Sequence, residues 1–192
     1  MDYNLIANIA LGIALSACCG FRVFIPMLAG ALAGHFGVFS LPVDLQWLAT
    51  WPSIICFGTA AVAEVLAYYV PFIDNILDTI AGPLSIAAGT LLATSILPLA
   101  DQAPILRWGA GFLAGGASAG VIQMGTGLLR LFSSKATIGT GNVVVASTEN
   151  AAAIGGSLLS FLVPVVVALL LLVLIIWILN KGRKMFFRRR TE

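Results

Sequence analysis

The chain has 192 residues, of which 60% are hydrophobic and 9% are charged, and its formal net charge is +2. A soluble domain of this length carries roughly 25% charged residues, because its surface must be solvated by water. The composition therefore excludes a soluble globular enzyme and gives no sign of a nucleic-acid partner. It predicts an all-α membrane protein that crosses a lipid bilayer several times.

Apolar stretches long enough to cross a bilayer follow one another along the chain, since a transmembrane helix needs about 20 apolar residues. The first and the last exceed one perpendicular crossing, so we expect each to be tilted, kinked or broken, near Gly20 and Pro26 in the first and near Pro164 in the last. The sequence thus predicts a transmembrane helix bundle of five or six spans with broken or re-entrant helices, in one domain over residues 1–180. In chain order the stretches run from about Leu5 to Phe36, Trp47 to Val70, Gly82 to Leu99, Pro104 to Phe132 and Glu149 to Leu179.

Basic residues are concentrated in the C-terminal tail, residues 181–192. The positive-inside rule places this tail in the cytoplasm, so we expect a bacterial inner-membrane protein. Six spans would also put the loop with Arg130 and Lys135 in the cytoplasm, whereas five would put it outside. Phenylalanines between the basic residues are typical of an anchor on anionic lipid, although a topology signal alone explains the charges as well. Six of the ten Lys and Arg residues lie in this tail: Lys181, Arg183, Lys184, Arg188, Arg189 and Arg190.

Asp74 and Asp78 stand four residues apart between the second and third stretches. That spacing places both carboxylates on one face of a helix and the isoleucines on another. It predicts a short amphipathic helix at the membrane interface, with solvation of the acids favoured over cation binding.

Small residues recur in residues 16–30 and 116–128, and each part is followed by a helix that carries one glutamate, Glu64 or Glu149. Many transporters consist of two inverted halves, so we predict such a repeat with halves 1–100 and 101–180. Chance recurrence of Gly and Ala is the alternative. Glycines four residues apart also predict close helix packing, within a compact bundle or at a homodimer face. The pairs are Gly30 and Gly34, Gly111 and Gly115, and Gly116 and Gly120.

Ionisable side chains at membrane depth point to a polar site, because each costs about 2.5–3.5 kcal/mol on insertion scales. Arg22 lies next to a predicted helix break, where its fixed positive charge would bind a carboxylate or phosphate. Glu64 is isolated in an apolar stretch, which makes it a candidate proton carrier. Tyr68, one turn later, would share a hydrogen bond with it. The alternative is a permanent ion pair between Arg22 and Glu64.

Further polar candidates lie in the second half of the chain. Glu149 follows Ser147 and Thr148, which resemble helix N-cap residues, so its carboxylate would lie in a first helical turn and need no function. The segment 138–142 is polar and glycine-rich and predicts a backbone nest or a short re-entrant loop. Asn142 would serve there as a neutral ligand, and Gln123 would add a hydrogen bond.

Cofactor and metal sites are not expected. The three cysteines, Cys18, Cys19 and Cys56, lie in apolar stretches, and the one histidine, His35, has no ligand partners near it in sequence. Disulfide, zinc and haem sites all need other numbers or spacings of these residues. No plausible Ser-His-Asp set exists, so we do not expect an enzyme.

Several of these polar positions together resemble the pattern of a known family. The chain resembles, from about Leu11 to Leu172, an uncharacterised family of small bacterial membrane proteins catalogued only as a domain of unknown function. The resemblance implies no particular activity, but it implies that these positions form one site. Val143 departs from the family's pattern, in which a proline usually follows the asparagine. The matching residues are Gly20-Phe21-Arg22 with Pro26, then Glu64, Pro71 and Asp74, then Gly141-Asn142 with Ser147 and Glu149.

The sequence therefore predicts a membrane transporter or channel for a small solute or ion. Its polar site would lie near the membrane midplane, where broken helices meet and where Arg22 and Glu64 would meet the segment from Asn142 to Glu149. The alternative is a non-transporting membrane protein that binds lipid or assists assembly through its small-residue faces and basic tail.

Overall fold

The computed structural model describes residues 3–137 and 141–188, which form a bundle of α-helices. A 3-10 helix, Val43–Ala49, precedes α3, and a π-helical segment, Phe112–Gly116, joins α5 to α6 so that these two form one continuous helix. The predicted all-α class is confirmed. The α-helices are α1 Tyr3–Cys18, α2 Phe24–His35, α3 Trp51–Ala67, α4 Pro71–Ile96, α5 Pro104–Gly111, α6 Ala117–Thr137, α7 Asn142–Leu162 and α8 Pro164–Arg188.

Three helical segments in the described part are long and apolar enough to cross a membrane by themselves: Ile76–Ile96, Pro104–Lys135 and Pro164–Lys184. A fourth crossing results if the 3-10 helix and α3, which are bent by 55° against each other, are counted as one span. The apolar helices α1 and α2 are shorter than a full crossing. A multi-pass membrane protein is therefore confirmed, whereas five or six spans remain a prediction.

Both predicted helix breaks are present. The first apolar stretch is divided into α1 and α2, and Gly20 lies in the break against α6, where an added Cβ atom would come within 2.6 Å of the Ile122 Cβ. Pro26 lies in the first turn of α2, where its missing N–H leaves no hydrogen bond unmade. The last stretch is divided into α7 and α8, with Pro164 as the first residue of α8, a position that suits its fixed φ.

Contacts between helices define two ends of the bundle. At one end, Arg22 contacts Glu149 in the first half of α7. At the same end, Asp78 near the beginning of α4 contacts Arg130 near the end of α6. We call this the Arg22 end. Ile178 packs against Gly125 of α6, so the basic part of α8 also lies there. The opposite end carries an ion pair between Arg107 of α5 and Asp44 of the 3-10 helix.

The closest approach of two helices involves backbone atoms. A Cβ atom on Gly89 of α4 would lie 2.7 Å from the carbonyl oxygen of Gly115 in the π-helical segment. Gly111, Gly116 and Gly120 also face α4 side chains or backbone. These glycines therefore allow close helix packing within the chain, as the prediction of a compact bundle required. The predicted homodimer face stays a prediction.

Two expectations for the fold need correction. No separate interfacial helix carries Asp74 and Asp78, because α4 runs without interruption from Pro71 to Ile96; the Asp74 side chain is outside the described residues. The described helices also do not support the inverted repeat. The first half contains four α-helices and a 3-10 helix, whereas the second contains one long helix followed by α7 and α8.

Candidate functional site

Arg22 lies in the break between α1 and α2 and is 1% exposed. Its Nε donates a hydrogen bond to Asn150 Oδ1 at 2.6 Å, and its Nη1 donates to Glu149 Oε2 at 2.7 Å. Its Nη2 donates to the Ala146 carbonyl oxygen at 3.3 Å. All three partners lie on one face of α7. The guanidinium therefore ties the helix break to α7.

Glu149 is shared by two arginines. Arg130 Nε donates to Glu149 Oε1 at 3.2 Å, and Arg130 Nη2 forms an ion pair with Glu149 Oε2, the oxygen that also accepts from Arg22. A further ion pair joins Arg130 Nη1 to Asp78 of α4. Both arginines and Glu149 are at most 3% exposed. Two guanidinium groups are thus balanced by two carboxylates, as buried charges require.

Tyr68 lies against both guanidinium groups. The Cζ atoms of Arg22 and Arg130 are 3.8 Å and 4.1 Å from the centre of its ring, within the range of cation–π attraction. The neighbouring Tyr69 hydroxyl accepts a hydrogen bond from Asn150 Nδ2 at 3.3 Å. We call the assembled set the Arg22 cluster, which consists of Arg22, Tyr68, Asp78, Arg130, Glu149 and Asn150.

Glu64 lies beside this cluster, and its carboxylate is held by backbone N–H groups and not by Arg22, the partner that the alternative interpretation gave it. Its Oε1 accepts the backbone N–H of Val23 at 2.9 Å, and its Oε2 accepts that of Phe24 at 3.0 Å. These N–H groups belong to the start of α2, where no intrahelical acceptor is available. Glu64 therefore caps the second half of the broken helix. The ion pair of Arg22 is made with Glu149 and not with Glu64.

A cavity of about 320 Å³ lies between α3 and α4, next to the cluster. Glu64 and Tyr68 contribute to its lining, and the other lining residues are apolar side chains of α3, α4 and the start of α2. A carboxylate at the wall of an apolar cavity offers one point of polar recognition in an otherwise lipid-like space. In the part of the chain that the structure describes, no group of three or more His, Cys, Asp or Glu residues could hold a metal ion.

Asn142 and Gln123 lie on helices of the cluster but further along them. Asn142 begins α7, about two turns before Glu149, and its Nδ2 donates to Ser134 Oγ at 2.9 Å. Gln123 is buried on α6, about two turns before Arg130. The predicted loop or nest at 138–142 falls largely on residues 138–140, which lie outside the described residues.

The interpretation of Glu149 as a first-turn residue is wrong. Helix α7 begins at Asn142, so Glu149 lies in its third turn, where the helix dipole gives little stabilisation. Its burial is explained instead by the two arginines.

Sequence reasoning missed Arg130, Asn150 and the inward role of Asp78. Arg130 was assigned to a loop together with Lys135, yet it lies within α6 and is 2% exposed. Its isolation between leucines in an apolar stretch was the available signal, the same one that singled out Arg22 and Glu64. Asn150, directly after Glu149, carried no distinguishing pattern of its own.

Most of the chain matches the model of one protein family. A family model described as a domain of unknown function (DUF4126) matches residues 9–182. The chain belongs to this family. The resemblance drawn from the sequence motifs is therefore confirmed, and every residue of the Arg22 cluster falls inside the matched range. No curated protein and no solved structure matches the chain.

Replacing Tyr68 with leucine is expected to destabilise the protein by about 2 kcal/mol, because two desolvated guanidinium groups lose their contact with an aromatic ring. Tyr68→Phe keeps the ring and should retain most of this stability. Thermal unfolding of both purified variants in detergent measures the difference. Equal midpoints for the leucine and phenylalanine variants would show that the ring contributes nothing specific.

Proposed function

We propose that the protein is a transporter or channel for a small solute or ion, and not an enzyme, with the Arg22 cluster on its path. The observation that carries the proposal is the sharing of the Glu149 carboxylate between Arg22 and Arg130. Buried ion pairs are often replaceable by apolar residues without loss of stability. Their concentration in a membrane bundle is therefore a sign of function.

Because Glu149 pairs with both arginines, a solute can enter the cluster by replacing Glu149 at one of them. Both arginines keep their charge at any working pH, so they always need an anionic partner. A carboxylate, phosphate or other anion could replace Glu149 at one guanidinium while Glu149 stays at the other, which leaves no buried charge unpaired. The ion pairs would thus act as a gate that opens by exchange of partners.

Glu64 and the neutral ligands have separate roles in this proposal. Each oxygen of Glu64 accepts one backbone N–H and keeps further capacity to accept, so Glu64 can take up a proton or a solute donor from the neighbouring cavity. Asn150, in contact with Arg22, takes the ligand role predicted for Asn142. Asn142 and Gln123 would contribute at other levels of the path.

The proposed path is asymmetric across the membrane. The cluster lies near the end of α3 and α6 and in the first halves of α4 and α7, whereas the sequence placed it at the midplane. Lys135 and the basic residues of α8 lie at the same end, which the positive-inside rule assigns to the cytoplasm of a bacterial cell. The cluster would then form the cytoplasmic gate, and the ion pair between Arg107 and Asp44 would lie at the outer face.

Flux through proteoliposomes tests the proposal. Vesicles of phosphatidylethanolamine and phosphatidylglycerol would be loaded with chloride, phosphate, acetate or potassium and a pH-sensitive dye. We expect the parent protein to move at least one of these probes faster than protein-free vesicles do. Flux should fall at least tenfold in Arg22→Ala and Glu64→Gln, provided that each variant is folded by size-exclusion chromatography.

Lys135→Gln is the matched control, because it removes an exposed charge at the same end of the bundle. Its flux should equal that of the parent. Equal flux in the parent, Arg22→Ala and Glu64→Gln would refute the assignment of the site, and no flux of any probe would count against transport.

The second candidate is a non-transporting protein that binds lipid or assists assembly. The apolar cavity between α3 and α4 favours it, because such a space accepts an acyl chain as readily as a solute. A stoichiometric lipid that copurifies in that cavity, together with vesicles that remain tight to every probe, would support this candidate over transport.

A further inference from the structure

An apolar groove lies between α6 and α8. It has a volume of about 130 Å³, and side chains of both helices form its walls. Phe21, next to Arg22, lines the groove along with Ile122, and Lys181 and Gly182 line it at the basic end of α8. The groove therefore runs from the level of the helix break towards the charged membrane surface.

A second hollow of about 250 Å³ continues the groove at that surface. It is lined by Trp177, Asn180, Lys181 and Lys184, so it shares Trp177 and Lys181 with the groove. The Lys181 ammonium group lies 4.6 Å from the centre of the Trp177 ring, an arrangement suited to the level of lipid head groups. The apolar groove thus opens into a hollow that is lined by two lysine ammonium groups.

We infer that this composite groove binds an anionic phospholipid of the leaflet at the Arg22 end. Part of an acyl chain would occupy the α6–α8 groove, and the phosphate would lie between Lys181 and Lys184. Lysine side chains near a membrane surface attract anionic lipid head groups. A free phosphate would leave the apolar groove unused, and a neutral lipid would leave the ammonium groups without a counter-charge.

The bound lipid would also contact the polar site. Phe21 lines the groove, and its carbonyl oxygen accepts a hydrogen bond from Arg22 Nη1 at 3.3 Å. A chain in the groove therefore touches the residue that precedes Arg22 in the helix break. This inference does not depend on the proposed transport function, since lipid binding is measured directly.

Native mass spectrometry of the full-length protein tests the inference, with phosphatidylglycerol and phosphatidylethanolamine added in equal amounts. We expect the parent to retain phosphatidylglycerol preferentially. The double variant Lys181→Gln/Lys184→Gln should lose at least fivefold of that retention. Gly182→Leu should lose it as well, because the added side chain would fill the groove; within the described residues, no atom beyond the local helix backbone lies within 4 Å of a Cβ at that position.

Matched controls separate this site from general charge or volume effects. Lys135→Gln removes a basic residue at the same end that lines neither hollow, and Gly127→Leu adds the same side chain at a helical glycine with equally open space. Both should bind as the parent does. Unchanged retention in the lysine and Gly182 variants, equal loss in the controls, or displacement of the lipid by inorganic phosphate would each overturn the inference.

Discussion

Glu149→Gln is expected to lower the free energy of unfolding by about 3–5 kcal/mol, because it removes one charge from a buried network and leaves the others in place. Both arginines that use this carboxylate are at most 2% exposed, so water cannot replace the lost partner. Asp78 can balance one of them, but the second stays uncompensated. The unfolding midpoint in detergent should fall by about 10 °C.

Charge balance provides the internal check on this result. In the double variant Arg130→Gln/Glu149→Gln both an arginine and the shared carboxylate become neutral, so its loss of stability should be clearly smaller than the sum of the two single losses. Asp101→Asn, which neutralises an exposed carboxylate, should leave the midpoint unchanged. A Glu149→Gln midpoint equal to that of the parent would mean that the shared ion pair contributes nothing to the fold.

Gly115→Ala is expected to destabilise the bundle by about 1–3 kcal/mol through overpacking. The added Cβ atom would lie 2.5 Å from the Ala93 Cβ and would collide with the Gly89 carbonyl oxygen. Backbone atoms cannot rotate away as the end of a flexible side chain can, so the two helices must separate. The reciprocal variant, Gly89→Ala, meets the Gly115 carbonyl oxygen at 2.7 Å and should behave alike.

Gly127→Ala on the same continuous helix is the matched control. Apart from the local helix backbone, no atom of the described part of the chain lies within 4 Å of its Cβ position, and alanine has the higher helix propensity. The unfolding midpoint in detergent should therefore stay the same or rise slightly, while that of Gly115→Ala falls. Equal midpoints for the two alanine variants would contradict the close contact between α4 and the π-helical segment.

Ion pairs near both ends of one helix explain how the long α5–α6 element is held in the bundle. Arg107 pairs with Asp44 near its first turn, and Arg130 pairs with Asp78 and Glu149 near its end. These arginines are 23 residues apart, about 34 Å along a helix, which is close to the thickness of the hydrocarbon core. The three ion pairs thus attach the helix to its neighbours near both of its ends.

Composition and apolar length determined the membrane class and the helix breaks. Eighteen charged residues among 192 cannot solvate a globular surface, so lipid had to be the solvent. The breaks at Gly20 and Pro164 could be predicted from the sequence because glycine and proline act locally, through the backbone of their own segment. The isolated charges of Arg22 and Glu64 were readable for a similar reason, since the cost of burial depends on the stretch around them.

Only the tertiary structure decided which charges meet. Arg22 pairs with Glu149 and not with Glu64, because at the helix break its guanidinium faces α7. The carboxylate of Glu64 instead accepts hydrogen bonds from the backbone N–H groups at the start of α2. Arg130 and Asp78 meet in the cluster because α4 packs through glycines against the continuous helix that contains α6. This packing sets the position of one helix along the other. Ion pairing depends on the distances between helices that are remote in sequence, and those distances cannot be read from a single sequence.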